Sequence, residues 1–131
     1  MWFNKRKPPP IRTLVGEGTV MHGNIGFADG LRVDGEVHGN VIATTPSSLV
    51  VVSENARVHG EVKAGHVIIN GEVRGPVHST ELLELQPKAR VIGDVRYELL
   101  EMHQGALIDG ELRPLKSAER PALVLAASND T

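Results

Sequence analysis

Apolar and polar residues alternate in short runs along the middle of this chain, and one run keeps returning. It reads Met21-His22-Gly23-Asn24-Ile25, then Val37-His38-Gly39-Asn40-Val41, Val58-His59-Gly60-Glu61-Val62, Val73-Arg74-Gly75-Pro76-Val77 and Val91-Ile92-Gly93-Asp94-Val95. A last variant spans Leu107–Leu112 around Gly110. The glycines of successive copies stand 16, 21, 15, 18 and 17 residues apart. Self-similarity at a nearly fixed step marks a stacked repeat. Strict alternation within each copy predicts strand. The step is too short for a pair of helices, so each copy predicts one coil of a β-solenoid. Alternation also assigns faces: Val37, Gly39 and Val41 inward, His38 and Asn40 outward.

Shorter apolar runs fall between the phrases at Leu31–Val33, Leu49–Val52, Val67–Ile69, Leu82–Leu85 and Leu99–Met102. Each coil then holds about three short strands joined by corners. Gly18, Gly30, Gly65 and Gly105 are the expected corners, because glycine tolerates the left-handed backbone of a sharp bend. Thr44-Thr45-Pro46-Ser47-Ser48 sits in the longest step and predicts a loop bulging from one corner. The expected organisation is a tail over residues 1–12, an all-β solenoid of about six coils over 13–113, and a flexible tail over 114–131. At the spacing of neighbouring strands, six coils make a rod about 3 nm long. Ala122-Leu123-Val124-Leu125 interrupts the second tail and is either a strand covering the last coil or a docking segment.

Composition narrows the interior. Apolar residues make up 40 % of the chain but aromatics only 3 %. Val, Ile, Leu and Ala must therefore fill the tube, as a narrow section between stacked coils requires. There is no cysteine, so neither a disulfide framework nor a thiolate metal site is available. No apolar run reaches the roughly 20 residues of a membrane span, and the cationic start runs into prolines, unlike a secretory signal. The net charge of −2 hides an asymmetry. Lys5, Arg6, Lys7 and Arg12 lie in the first twelve residues, which contain no acid, while the rest of the chain is acidic. A basic arm on an acidic body argues against nucleic acid as a partner of the body and leaves the arm for an acidic surface.

Candidate chemistry is sparse. Face assignment stacks His22, His38 and His59 in one outward file, continued by Arg74, Ile92 and Asp109. No carboxylate or cysteine set accompanies the three histidines at ligand spacing, so they predict a solvated ladder and no metal. No Ser-His-Asp grouping, paired-acid motif or phosphate loop is present, which predicts no enzyme, no cofactor and no nucleotide. The first seven residues are more specific. Met1, Trp2 and Phe3 form an apolar tip beside Lys5, Arg6 and Lys7. Tryptophan favours the bilayer interface, and each basic residue adds about 1 kcal/mol beside anionic lipid. These six residues are the candidate membrane-targeting set, weak singly and strengthened by avidity on a polymer. The solenoid ends carry the other candidate surface. Solenoids need caps, and no amphipathic helix flanks Thr13 or Arg113. Leu14, Val15 and Val20 at one end, and Leu107, Ile108 and Leu112 at the other, are the expected polymerisation surfaces, because open strand edges pair with other edges.

Gly35-Glu36-Val37-His38-Gly39-Asn40-Val41-Ile42-Ala43, Ala56-Arg57-Val58-His59-Gly60-Glu61-Val62 and Gly105-Ala106-Leu107-Ile108-Asp109-Gly110 resemble the bactofilins, bacterial cytoskeletal proteins. The resemblance covers residues 13–113. It implies a right-handed parallel β-helix; handedness is carried by the resemblance alone. It implies nucleotide-independent, non-polar filaments joined head to head and tail to tail. It further implies a location at the inner face of the cytoplasmic membrane, where the polymer positions peptidoglycan enzymes and contributes to cell shape. Bactofilins often carry Phe in a Gly-Ala-x-Phe-x-Gly phrase of the last coil, and Ile108 stands there in this chain. Two other classes are weighed beside the scaffold: a left-handed β-helix acyltransferase, whose strict six-residue beat the uneven steps break, and a monomeric solenoid adaptor.

Overall fold

The computed structural model describes residues 9–115. The segments 1–8 and 116–131 lie outside the described residues, so Met1, Trp2, Phe3, Lys5, Arg6, Lys7 and the expected disordered tails have no structural account. The described chain is all strand, turn and loop. Its strands are β1 (Ile11–Val15), β2 (Val20–His22), β3 (Ile25–Phe27), β4 (Gly30–Val33), β5 (Glu36–His38), β6 (Val41–Ala43), β7 (Leu49–Val52) and β8 (Arg57–His59). They continue as β9 (Val62–Ile69), β10 (Glu72–Arg74), β11 (Val77–Leu85), β12 (Arg90–Ile92), β13 (Val95–Met102), β14 (Leu107–Asp109) and β15 (Leu112–Pro114).

All pairings are parallel and connect one coil to the next. β2, β5, β8, β10, β12 and β14 form a 6-stranded sheet in that order, one strand per coil. The other strands form a 9-stranded sheet that bends around the remaining two sides. β9, β11 and β13 each run through that bend as one long strand, whereas earlier coils break there into two short ones. Six coils therefore stack into the expected parallel β-solenoid. The first strand starts at Ile11, two residues ahead of the expected boundary, and the last ends at Pro114. Residues 44–48 form the expected loop between β6 and β7.

Alternating side chains form continuous files through the stack. Register aligns Met21, Val37, Val58, Val73, Val91 and Ile108 on the first side. On the second it aligns Ile25, Val41, Val62, Val77, Val95 and Leu112. The third side contributes Val15, Val33, Val52, Ile69, Leu85 and Met102, with Thr13, Leu31, Val50, Val67, Leu83 and Leu100 beside them. The inner members of these files make one contiguous core of Val, Leu and Ile. Each such burial contributes about 1.5–3 kcal/mol.

The corners differ from expectation. Gly18 and Gly105 do lie in turns with positive φ, at 89° and 105°. Gly30 and Gly65, by contrast, sit within β4 and β9. The phrase glycines, expected to face inward from strand interiors, are themselves corners: each separates one strand from the next. They stack so closely that a Cβ on Gly93 would lie 2.5 Å from the carbonyl oxygen of Gly75 and 2.7 Å from its carbon. Gly23, in the first coil, has open space and only a positive φ of 128°; in the later coils the close approach of the preceding coil also excludes a side chain. The uneven step has a local cause at a different corner. Coils turn there either through two residues, Asp34-Gly35 or Asn70-Gly71, or through a four-residue turn. The longer turns close with hydrogen bonds in which the amides of Thr19, Ala56, Ala89 and Ala106 donate to the carbonyls of Gly16, Ser53, Gln86 and His103.

Candidate assembly surfaces

A solenoid coil is covered by the coil above and the coil below. End coils lack one cover, and this chain's files show the consequence position by position. Val37, Val58 and Val73 are fully buried, while Met21 and Ile108, the two ends of the same file, are half-buried. Val41, Val62 and Val95 are fully buried, while Ile25 is half-buried and Leu112 is 46 % exposed. Leu85 is fully buried, but its in-register neighbour Met102 is 44 % exposed. The side chains point inward throughout these files, and every end member except Val15 is left more open than the middle.

Backbone edges coincide with these side chains. Among the described residues, β1, β2 and β3 pair on one side only, as do β14, β15 and the Leu99–Met102 part of β13. Unpaired donors and acceptors of a parallel sheet therefore frame each apolar cross-section. Such edges template further strand pairing. Apolar exposure is also concentrated there. Of the large hydrophobics left open among the described residues, Ile11, Leu14, Val20, Leu99, Met102, Leu107 and Leu112 belong to strands at the two ends, and Ile92 alone lies further in.

The six expected end residues divide into three groups. Ile108 and Leu112 lie on the terminal cross-section. Leu14, Val20 and Leu107 are exposed but face sideways: register puts Leu14 in line with Arg32, and puts Val20 and Leu107 at the two ends of an outward file. Val15 is a correction. It is turned inward in line with Val33 and packs in the core, only 6 % exposed although it is the first member of its file. Sequence reasoning missed Met21, Ile25, Leu100 and Met102 as end-facing residues. The signal was present, since each is the first or last member of an inward file. Nothing but complete register identifies it.

The outward faces are polar ladders. Val20, Glu36, Arg57, Glu72, Arg90 and Leu107 form one file on the 6-stranded sheet, charged throughout its middle. Glu72 is its most enclosed member, with a side chain 11 % exposed, and it pairs with Arg74 and, at 3.1 Å, with Arg90. The Arg74 hydrogen bond, opposed by burial and reinforced by Arg90, holds the Glu72 carboxyl below its usual range. The neighbouring file is His22, His38, His59, Arg74, Ile92 and Asp109, as alternation predicted. The rings of His22 and His38 stack with centroids 5.0 Å apart, and His59 meets His38 edge-on at 4.6 Å. His38 Nε2 is engaged by Glu36 Oε2 at 2.9 Å. A third file, at the corner, reinforces the stack: the Oδ1 atoms of Asn24, Asn40 and Asp94 accept hydrogen bonds from the amides of Asn40, Glu61 and Glu111 in the following coils. Cross-coil contacts thus tie these wall files together, whereas the end strands find no neighbour on their outer side among the described residues.

Comparison with known proteins matches residues 13–113 to the family model described as "Bactofilin: Polymer-forming cytoskeletal". Bactofilin BacP of Myxococcus xanthus is 30% identical over 118 residues, a match covering 86% of this chain and 48% of that protein. This chain thus spans about half the length of BacP. Bactofilin BacO of the same organism is 26% identical over 110 residues, covering 84% of this chain and 85% of that one. The cryo-EM reconstruction of Thermus thermophilus bactofilin double helical filaments superposes with a TM-score of 0.68 at 26% identity, covering 79% of this chain and 99% of that chain.

Proposed function

The chain belongs to the bactofilin family of polymer-forming cytoskeletal proteins, and from that footing we propose that it assembles through its two solenoid ends into filaments that need no nucleotide. The observation that carries this reading is the coincidence, at both ends, of half-covered inward residues with unpaired strand edges. A second copy supplies the missing neighbour for Met21 and Ile25 at one end, and for Leu100, Met102, Ile108 and Leu112 at the other. The proposed junctions are head to head and tail to tail, which makes the filament non-polar. The double helical filaments reported for the Thermus thermophilus bactofilin support assembly of a solenoid of this kind.

The proposed setting is the inner face of the cytoplasmic membrane. Met1, Trp2 and Phe3, with Lys5, Arg6 and Lys7, would attach the polymer to anionic lipid, each tail weakly and many tails together firmly. A membrane-bound polymer of this kind would position cell-wall enzymes and so contribute to cell shape.

Sedimentation and negative-stain microscopy of the untagged chain without nucleotide test the assembly. Long filaments are the expected result. A compact trimer would instead support an acyltransferase-like solenoid, and a monodisperse monomer at high concentration would support an adaptor. Either outcome overturns the scaffold reading. Deleting residues 2–7 tests the tail separately: the protein should leave anionic liposomes yet still assemble, and unchanged pelleting with liposomes would refute the tail's role.

A further inference from the structure

One outward file on the third side does not satisfy itself. Glu84 of β11 and Glu101 of β13 are paired in register, one coil apart. Like charges placed directly opposite on neighbouring strands destabilise a sheet. Beside the two carboxylates stands His103, in the turn after β13, with Nε2 2.9 Å from Glu101 Oε2. Ligand atoms of Glu84, Glu101 and His103 all lie within 4.8 Å of one another. A second imidazole adjoins the set. His66 Nε2 is shielded from solvent, makes no hydrogen bond, and lies 3.7 Å from Glu84 Oε1. Gln86 donates a hydrogen bond to the other oxygen of Glu84 and so fixes that carboxylate's orientation.

We propose that Glu84, Glu101 and His103 bind a divalent transition-metal ion that staples the last coil to the one before it, with His66 as a further nitrogen donor at the Glu84 side. Zinc fits the donor set. Imidazole nitrogen selects zinc-like ions over calcium and magnesium, and carboxylates with imidazole are common zinc ligands. Bond lengths of roughly 2.0–2.2 Å would draw the ligand atoms closer than their present spread. The ion would convert the stacked carboxylates from a repulsive pair into a shared ligand. The imidazole–carboxylate hydrogen bond of His103 gives way to coordination, with loss of one proton if the ring was charged. The site differs from the His22, His38 and His59 ladder, which has stacked rings on another side of the tube and no paired carboxylates.

The test is zinc binding to the untagged full chain by isothermal titration, with thermal unfolding read by circular dichroism at β-sheet wavelengths. Wild-type protein should take up one equivalent per chain saturably and unfold at a higher temperature with zinc than with EDTA. Glu84→Gln and His103→Asn should each weaken uptake by at least about tenfold and abolish the thermal shift, and His38→Asn should change neither. All three positions lie on the outer wall, so unaltered β dichroism without metal checks folding. If a variant fails that check, cobalt(II) titrated into wild type supplies a second readout, an absorption spectrum of imidazole coordination that zinc displaces. Absence of saturable uptake overturns the proposal. So does uptake that survives Glu84→Gln and His103→Asn but disappears in His38→Asn, which would move the metal to the histidine ladder.

Discussion

Replacing Ile108 with lysine asks most of the proposed assembly. Ile108 closes the file that begins at Met21, and its inner neighbour Val91 is almost completely buried while Ile108 itself is half-buried. Full burial of an isoleucine contributes about 1.5–3 kcal/mol, so the smaller part left open is worth about 0.5 kcal/mol to a junction, or about 1 kcal/mol when two copies meet by the same end. Lysine forfeits that gain and brings an ammonium into a dry contact at an effective cost of several kcal/mol per unpaired ion. A total near 5 kcal/mol weakens the junction by more than about a thousandfold. Folding should lose much less, because in the isolated protein the lysine head reaches water past the open end. Sedimentation velocity and dichroism on Ile108→Lys separate the two effects. The expected product is a β-rich dimer held by its Met21 and Ile25 ends, since a filament alternating head-to-head and tail-to-tail contacts loses only one kind of junction. Monomers would refute the alternation, because a polar filament with one end blocked has no junction left. Filaments of unchanged length would refute the junction itself, and loss of β signal would show that Ile108 holds the fold instead.

Other perturbations test the wall and the corners. Gly93→Ala puts a Cβ 2.5 Å from the Gly75 carbonyl oxygen, against backbone that cannot yield, and should lower unfolding free energy in urea by more than about 3 kcal/mol. Gly18→Ala has nothing within 4 Å, so only the strain of its φ of 89° remains, about 1–2 kcal/mol; equal losses at the two sites would refute the close-approach argument. Glu72→Gln should cost about 1–3 kcal/mol at neutral pH by leaving Arg74 and Arg90 less well matched. Because the Glu72 carboxyl is held below its ordinary value of 4.5, its contribution is full above that pH and fades as pH falls through the lowered value. Acid unfolding of Glu72→Gln should therefore be shallower than that of the wild type below pH 4.5, and parallel curves would contradict the ion-pair assignment. Val58→Ala, at the centre of a file, should cost about 2–4 kcal/mol without altering junctions, as measured on the Ile108→Lys background.

Much of this architecture was legible in the residues, for a physical reason. A strand's side chains alternate without exception, so one correctly phased phrase orders every file built on it. His22, His38, His59, Arg74, Ile92 and Asp109 align in the structure as the phrase aligns them in the sequence. Corners were less legible. Glycine signals a place where a Cβ does not fit, and both a left-handed turn and a close backbone approach meet that description. Gly18 meets only the first, whereas Gly93, with a φ of 151° and the Gly75 carbonyl against it, meets both. Val15 failed for a related reason. Nearness to an end suggested exposure, whereas Val15 is turned inward opposite Val33 and packs in the core, unlike Met102 at the other end of the same file. The carboxylates of Glu84 and Glu101 stayed hidden because they lie outside the recurring phrase, and only the 17-residue offset of their coils makes them neighbours.

The two ends of the tube are not equally apolar, and that difference bears on how assembly starts. At the N-terminal end the inward files finish in Met21, Ile25, the already buried Val15 and the polar Thr13. At the C-terminal end they finish in Leu100, Met102, Ile108 and Leu112; exposed residues beside the files do not separate the ends, since Ile11, Leu14 and Val20 flank one as Leu99 and Leu107 flank the other. Contact free energy scales with the apolar area removed from water, so a junction between two C-terminal ends removes more than one between two N-terminal ends. Dilution of filaments should accordingly break the N-terminal junctions first and pass through a dimer joined by Leu112 and its neighbours. Met21→Lys should stop growth at that dimer and leave it tighter than the dimer formed by Ile108→Lys. Sedimentation equilibrium on the two variants measures both constants, and a tighter dimer from Ile108→Lys would reverse the order and show that backbone pairing at the edges, more than side-chain burial, sets the strength of each end.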